Sequence, residues 1–491
     1  MAPSGIGRLR SIASDSVVYG LSGVISRFIS IFLVPIYTRL FSPEDYGVMS
    51  LVGSFIAVVS IFVVLGLDNS AHRWYWDTED ENDRRRTIAS WAWCQFAVSS
   101  AFGLVIFFTA DFIGLKIVGR ADAGMYFRIA AVTLPLTVLG GVVSNWFRMQ
   151  RRPWATTFYA LGTTLLTVGL TLVFVVGLRW GLAGVYAAQA VALGVGTVVA
   201  AVLLKDWIAP RFIHGARLLL MLRFSLPLIP AGLAYWVVGF ADRYFVQAYT
   251  STAEVGLYSI GSALAGGVAL VTGAFQQAWG PFALSIHQQS DARDTYAAVF
   301  LFYLWLTGAL CAGISLFAPE ILHILTTAEY GGASVVVGIL ALSYAMIGLT
   351  YIAGTGPSIA RQTGPTGIAM VADAVLNIIL NFAMVPHYGK IGSAVATLIS
   401  QSVVPIYLFR RSQQLYPIPY RFKAGVILFS LTLSIIGVGI QIDAKNIWIA
   451  IALKLALLSL FVPILFLLRL VTPRQLAAVM TKSISRVRSG Q

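Results

Sequence analysis

Charged residues make up only 11% of this 491-residue chain, and acidic ones are the scarcer: 20 Asp and Glu against 34 Lys and Arg. With 58% hydrophobic residues, that scarcity excludes a water-soluble globular domain. Two cysteines, Cys94 and Cys311, fall within apolar runs and exclude a disulfide framework. The five histidines are scattered without metal-ligand spacing, so no metal site is expected. P-loop, GxSxG and HExxH patterns are all missing, so no bound cofactor, ATP site or hydrolase centre is expected either. Long hydrophilic stretches are also lacking. The longest loops, near 68–86, 110–124, 205–222 and 411–420, leave no room for a soluble catalytic domain.

What remains is a succession of apolar runs. Each is long enough to cross the roughly 30 Å hydrocarbon core as a helix, and we read about fourteen of them. They start near Val17, Tyr46, Thr87, Met125, Trp154, Leu182, Phe224, Gly256, Tyr296, Gly332, Thr366, Ile391, Arg421 and Ile447. An all-α integral membrane protein is therefore expected. The first run is too long for a cleavable signal peptide and has no small-residue cleavage site at its end. The net charge of +14 is topological rather than a nucleic-acid-binding surface. Arg39, Lys116, Arg120, Arg179, Lys390 and Lys445 fall on one side, and Arg27, Arg128, Arg243 and Lys454 inside spans; the remaining Lys and Arg share the other side. By the positive-inside rule both termini are cytoplasmic, which demands an even number of spans.

The chain also repeats itself. Phe41–Ser50 (FSPEDYGVMS) and Thr250–Ser259 (TSTAEVGLYS) look like one element written twice, with Gly47 matching Gly256. Gly181–Gly184 (GLAG) and Gly389–Gly392 (GKIG) repeat at an offset that differs by a single residue. Duplicated membrane bundles characterise alternating-access transporters, whose substrate binds at the repeat interface. The expected organisation is a cytoplasmic segment 1–14, a six-helix bundle 15–205, a cytoplasmic linker 206–221 and a second six-helix bundle 222–410. Two extra spans at 421–469 and a basic amphipathic cytoplasmic tail at 472–491 follow. An even-numbered repeat unit makes the two bundles parallel. In the tail, Leu476, Met480, Ile484 and Val487 share one helical face, suited to an anionic leaflet.

Polar residues inside apolar spans are functional candidates by default, because a charge facing lipid is costly. Arg27 lies deep in the first span and offers a planar donor fork for phosphate oxygens. Asp242 and Arg243 lie in the first helix of the second bundle; adjacent helical residues point about 100° apart, so they need not pair with each other. Asp373, Asn377 and Asn381 form one helical stripe, and a buried Asp373 is a candidate for proton or ion coupling together with Asp242. An interhelical hydrogen-bond network explains the stripe equally well. Arg148 and Arg361 flank spans and are placed to line an inward-facing mouth. Trp146, Trp236 and Trp279 suit either sugar stacking or interface anchoring. Lys454, outside the duplication, is expected to close a groove or meet lipid phosphate. Gly47, Gly256, Gly181 and Gly389 are the candidate hinges.

Ser42–Gly47 (SPEDYG), Leu65–Ser70 (LGLDNS), Phe224–Pro230 (FSLPLIP), Glu254–Ser259 (EVGLYS) and Phe275–Phe282 (FQQAWGPF) resemble polysaccharide-biosynthesis flippases of the Wzx type. These belong to the multidrug/oligosaccharidyl-lipid/polysaccharide (MOP) exporter superfamily. The resemblance covers nearly the whole chain. It implies a V-shaped pair of six-helix bundles around a cationic cavity, in a bacterial inner membrane. The implied substrate is an undecaprenyl-diphosphate-linked glycan, moved between leaflets for O-antigen, capsule or exopolysaccharide synthesis. Arg27 and Arg243, one from the opening helix of each bundle, suit diphosphate capture. Membrane lipids, a polysaccharide polymerase and a chain-length regulator are the implied partners. A drug-exporting MATE relative fits poorly with in-span arginines. A MurJ-type lipid II flippase carries an Arg-Asp pair in its first helix, where alignment on Arg39–Phe41 places Leu33 and Val34. A membrane-bound polymerase or glycosyltransferase would need an extramembrane loop or an acidic motif that the chain lacks.

Overall fold

The computed structural model describes residues 33–442 and 447–468. Arg27 and most of the expected first span, the segment 1–14 and the tail 472–491 lie outside the described residues. Among those described the protein is helical, without strands. Twelve helical stretches are long and apolar enough to cross a membrane. Helices suit that medium because each satisfies its own backbone polar groups where water cannot. Large apolar side chains such as Phe108 and Phe158 stand exposed on the outside, as lipid-facing groups do.

The described chain falls into two compact units. The first, through Leu257 with 325–329 added, holds α1 (Leu33–Leu40), α2 (Pro43–Val64), α3 (Leu67–Trp76), α4 (Glu81–Ile117), α5 (Ala123–Met149), α6 (Pro153–Thr171) and α7 (Gly181–Leu204). It continues through α8 (Gly215–Ser225), α9 (Ile229–Trp236), α10 (Asp242–Tyr249) and the start of α11 (Thr252–Ile286). Local chemistry sets these boundaries. Ser42 and Asp45 form a reciprocal capping box with Pro43 at the first helical position. Leu65 and Gly66, both left-handed, end α2 before α3 begins. Asp80 accepts from the amides of Asn82 and Asp83 to start α4.

The repeated motif becomes a contact inside this first unit. A Cβ at Gly47 would land on the Thr252 carbonyl, and one at Gly256 would land on the Pro43 carbonyl and 3.1 Å from the Gly47 amide. Each glycine therefore packs against the residue four places before its counterpart, so α2 and α11 cross reciprocally through their matching glycines. The loop 118–122 stitches the same place. The Val118 carbonyl accepts from the Gln247 side-chain amide at 2.9 Å and from Thr252 at 3.3 Å. Arg120 pairs with Asp122 at 2.6 Å, and with Glu44 and Asp45 of the capping motif at 3.3 and 3.4 Å.

The second unit comprises the rest of α11, α12 (Ala292–Leu325) up to Ile324, and α13 (Ser334–Ala353), α14 (Thr355–Ile359), α15 (Gly364–Leu415), α16 (Phe422–Ile440), α17 (Ile447–Ser459) and α18 (Phe461–Leu467). Its core is aromatic, with Trp279, Tyr296, Phe300 and Tyr303 buried together. The 52 residues of α15 are two helical segments meeting at Gly389, whose φ of 52° and ψ of −134° suit glycine. They cover the expected spans beginning near Thr366 and Ile391.

The two units echo each other at places the sequence repeat did not mark. Arg151 ends α5 and Arg361 follows α14, both left-handed at φ 53° and 56°. In each case the next amide reaches back five residues, Arg152 to Phe147 and Gln362 to Pro357. Both are Schellman turns. A Cβ at Gly184 would touch Cβ of Trp180 at 3.2 Å, and one at Gly392 would touch Cβ of Tyr388 at 3.1 Å.

Candidate functional site

In the first unit, a π-turn over Val237–Ala241 interrupts the helix just before Asp242 and Arg243. Single π-turns recur at functional sites because they re-aim the following side chains and loosen backbone carbonyls. Here the Gly239 carbonyl accepts from Arg243 Nη1 at 2.8 Å. The same guanidinium nitrogen meets Asp242 Oδ1 at 3.0 Å, and that oxygen also accepts the Arg243 amide at 2.9 Å. Adjacent residues therefore do pair, because the arginine folds back along its own helix. Arg243 Nε donates to Ser50 of α2 at 3.0 Å, and the guanidinium stands over the Phe240 ring. One turn further along α2, the Ser54 carbonyl accepts from Trp236 Nε1 and the Ser54 hydroxyl meets Tyr244. Asp242 is only 4% exposed, and its carboxylate, out of water, is met by the Arg243 guanidinium and the Arg243 amide.

A second polar cluster joins α3, α4 and α5. Gln95 Nε2 donates to Asp68 Oδ1 at 3.1 Å and to the Val64 carbonyl at 2.9 Å. His72, one turn after Asp68, meets Asn145 at 3.2 Å. The charges of His72 and Arg148 both act on Asp68, which places Arg148 beside this cluster. Sequence reasoning missed it. The signal available was the four-residue spacing of Asp68 and His72 at the end of an apolar run. Arg361 stands exposed after α14 in the second unit.

The stripe of α15 is buried in the second unit. Asn377 Nδ2 donates to Thr397 and Ser400 at 3.3 Å, Asn381 Nδ2 to the Asn377 carbonyl at 2.9 Å, and Ser393 to Asn381 Oδ1 at 2.7 Å. The two segments of α15 are thus sewn together across the Gly389 bend. Ser400 lies beside the Asp373 carboxyl. Among the described residues, Asp373 Oδ1 and Gln401 Oε1 are buried oxygens without a hydrogen-bond partner. Buried acceptors left unmatched are costly and call for a hydrogen-bond donor or a cation. No group of three or more His, Cys, Asp or Glu that would hold a metal ion occurs among the described residues.

The other in-span cations among the described residues, Arg128 and Lys454, have carboxylate partners. Arg128 pairs with Asp111, linking α5 to α4. Lys454 of α17 meets Glu320 of α12 at 2.5 Å, with its side chain 5% exposed. Lys454 thus ties the added helices to the second unit from within. Of the three tryptophans, Trp146 and Trp279 are buried and Trp236 is half-buried, and Trp279 Nε1 donates to the Tyr351 carbonyl and to Thr355. Gly181 and Gly389 have positive φ of 58° and 52°, whereas Gly47 and Gly256 lie within helices and serve the close crossing.

The family model described as "Polysaccharide biosynthesis protein" matches residues 36–335. The chain is 22% identical over 361 residues to the succinoglycan biosynthesis transport protein ExoT of Rhizobium meliloti, covering 70% of this chain and 68% of that protein. A shorter stretch of 91 residues is 36% identical to the probable low-salt glycan biosynthesis flippase Agl15 of Haloferax volcanii, 18% of this chain and 19% of that one. In fold, the chain is similar to lipid II flippase MurJ in an inward closed conformation. That TM-score is 0.73 at 14% identity, over 92% of this chain and 99% of the other. An inward-facing multidrug resistance MATE transporter of the MOP superfamily aligns with a TM-score of 0.60 at 15% identity, over 82% and 96%. The helical fold is that of the MOP superfamily.

Proposed function

Since the chain belongs to the polysaccharide biosynthesis protein family, we propose that it is a flippase for undecaprenyl-diphosphate-linked oligosaccharide repeat units. It carries them from the cytoplasmic to the periplasmic leaflet of a bacterial inner membrane, for O-antigen, capsule or exopolysaccharide synthesis. The observation that carries this reading is a family match over residues 36–335 in a chain with a MOP transporter fold. Both termini are cytoplasmic on this reading, as the distribution of Lys and Arg requires.

The six-span duplication supplies alternating access between two parallel bundles, 15–205 and 222–410. Gly47 and Gly256 form the fulcrum at which α2 and α11, the second span of each bundle, cross, and Gly181 and Gly389 give the bends that absorb the motion. Arg243 receives the diphosphate, with Arg27 its counterpart in the first bundle; Arg148 and Arg361 attract the headgroup at the cytoplasmic mouth. The ion pair supplies the chemistry of the exchange. Asp242 neutralises Arg243 at 3.0 Å while no anion is bound. An arriving diphosphate offers the guanidinium a stronger bidentate partner and releases the carboxylate. A buried carboxylate so released needs a new counter-ion, which couples substrate to ion movement. Asp373 and Asn377, with the unmatched oxygen of Gln401 nearby in sequence to Ser400, form a separate coupling site. On release the glycan passes to a polymerase and a chain-length regulator.

The test is restoration of surface polysaccharide in cells lacking their own repeat-unit flippase, with glycan on the undecaprenyl carrier assayed in each leaflet. Repeat units trapped in the cytoplasmic leaflet despite normal expression would refute the proposal. A lipid II flippase is the second reading, favoured by the MurJ-like fold. Rescue of cells depleted of their lipid II flippase, without rescue of polysaccharide export, would select it. Glycan elongation by the purified protein, without translocation, would point to a polymerase or glycosyltransferase instead.

A further inference from the structure

The second unit contains a cavity of about 440 Å³ between α12, α13, the second segment of α15 and α16. Its walls are apolar, with Leu304, Met346 and Leu349 among them, and its size falls in the range of small-molecule sites. The shape is built in. Phe300, Phe409, Tyr420 and Phe422 pack ring against ring, with centroids 5.0 to 5.8 Å apart. A Cβ on Gly425 would lie 2.9 Å from Phe300, so the glycine permits the close approach of α16. The cavity opens sideways: its lining residues Ile406 and Val426 are 68% and 64% exposed, on a surface that faces lipid. Polarity is confined to the lining residues Ser402, Arg410 and Gln413. Gln413 is committed to the Ile418 backbone, to which it both donates and accepts. Ser402 donates to the Leu398 carbonyl. Arg410 is exposed at the end of the cavity, and Lys423, also exposed, follows the lining residue Phe422.

An apolar slot open to lipid, with cations at one end, matches an amphiphile that joins one anionic phosphate to an alkyl chain. We propose that this cavity binds an anionic glycerophospholipid, with one acyl chain in the slot and the phosphate on Arg410. The lipid is favoured over the polyprenyl carrier of the proposed substrate because the slot is short and walled by one unit alone. A polyprenyl chain far longer than a fatty acyl chain would overrun it. The site makes no use of the transport residues.

Native mass spectrometry of the delipidated full-length protein tests this. The probes are phosphatidylglycerol, phosphatidylcholine with the same acyl chains, and undecaprenyl phosphate. Phosphatidylglycerol should bind best. Arg410→Gln should weaken it roughly fivefold, the effect of one basic residue near a lipid surface, and weaken phosphatidylcholine less, because its choline already balances the phosphate. Ile406→Trp, or Val426→Trp should the first misfold, should lower the occupancy of both phospholipids by blocking the slot. Both are lipid-facing positions where a larger apolar group is tolerated, and a melting curve verifies the fold. Equal binding of the two phospholipids, or indifference to Arg410→Gln, would overturn the headgroup assignment. Occupancy unchanged by the tryptophan variants would overturn the cavity. Preference for undecaprenyl phosphate would overturn the choice of occupant.

Discussion

The reciprocal crossing of α2 and α11 makes an unusual demand on a double-mutant cycle. Gly47→Ala and Gly256→Ala each place a methyl group onto a backbone carbonyl, Thr252 in one case and Pro43 in the other. Neither obstacle is a side-chain end that can rotate away, so the helices must separate. Overpacking of this kind costs about 1–3 kcal/mol, and replacing a helical glycine by alanine returns about 0.5–1 kcal/mol. Each single variant should therefore lose roughly 1–2 kcal/mol. Gly53, in the same helix with nothing within 4 Å of its would-be Cβ, supplies the control: Gly53→Ala should be neutral or stabilising. The informative quantity is the double variant. One outward displacement relieves both clashes, so the pair should cost less than the sum of its parts, with a coupling in the 0.5–3 kcal/mol range of contacting residues. Thermal unfolding of detergent-solubilised protein measures stability, and polysaccharide export in a flippase-deficient strain measures function. Single variants no less stable than Gly53→Ala, or strictly additive losses, would refute the crossing.

Arg243→Ala should abolish export at normal protein levels, and Arg243→Lys should rescue it poorly because the amine lacks the planar fork; export by Arg243→Ala comparable to the parent would remove it from the passage. Lys454→Met leaves the half-buried Glu320, whose Oε2 is out of contact with water, without its cation and should lose about 1–3 kcal/mol, whereas Lys454→Met with Glu320→Leu should melt near the parent. A double variant no better than the single would show that the pair is not the cause. Asp373→Asn should make export insensitive to collapse of the ion gradient, measured in inverted vesicles; an unchanged response would exclude that carboxylate from coupling. In the loop 118–122, the hydrogen bond and charge of Arg120 hold the Asp122 carboxyl below its ordinary value of 3.8. A depressed carboxylate stabilises the fold above the ordinary value, and that contribution fades as pH falls through the lower folded value. Asp122→Asn should therefore flatten the acid limb of the melting temperature against pH, and an unchanged limb would show that the loop pair contributes nothing.

Long apolar runs and their boundary glycines made the helical membrane fold legible, because span length and glycine punctuation are local properties of the chain. Contacts were not local. The likeness of Gly47 and Gly256 was plain in the sequence, but their packing against each other depends on how two distant helices cross. Asp242 and Arg243 pair because a π-turn frees the Gly239 carbonyl and lets the arginine fold back; a regular helical wheel forbids that inference. Lys454 was visible as an in-span charge, yet its partner Glu320 sits where an apolar run ends and gave no signal of its own. Asp68 and His72 fell in the stretch 68–86, which reads as a loop, whereas the structure continues it as the helix α3 and so brings the two residues one turn apart. The Asp373 stripe was legible as a face, and only the structure supplied the hydroxyls of Thr397, Ser400 and Ser393 that meet it.

The pairing of Lys454 with Glu320 also has a dimension in time. The partners are 134 residues apart, and Glu320 emerges from the ribosome first. At about 5–20 residues per second, roughly 7–27 s pass before its lysine is made. During that interval the helix bearing Glu320 enters the bilayer with its counter-ion not yet in existence. Until then its carboxylate must remain at the interface or be shielded by the insertion machinery. Adding α17 is thus the step that supplies the cation, and a chain cut short before Lys454 would present the cell's quality control with a Glu320 carboxylate lacking its partner.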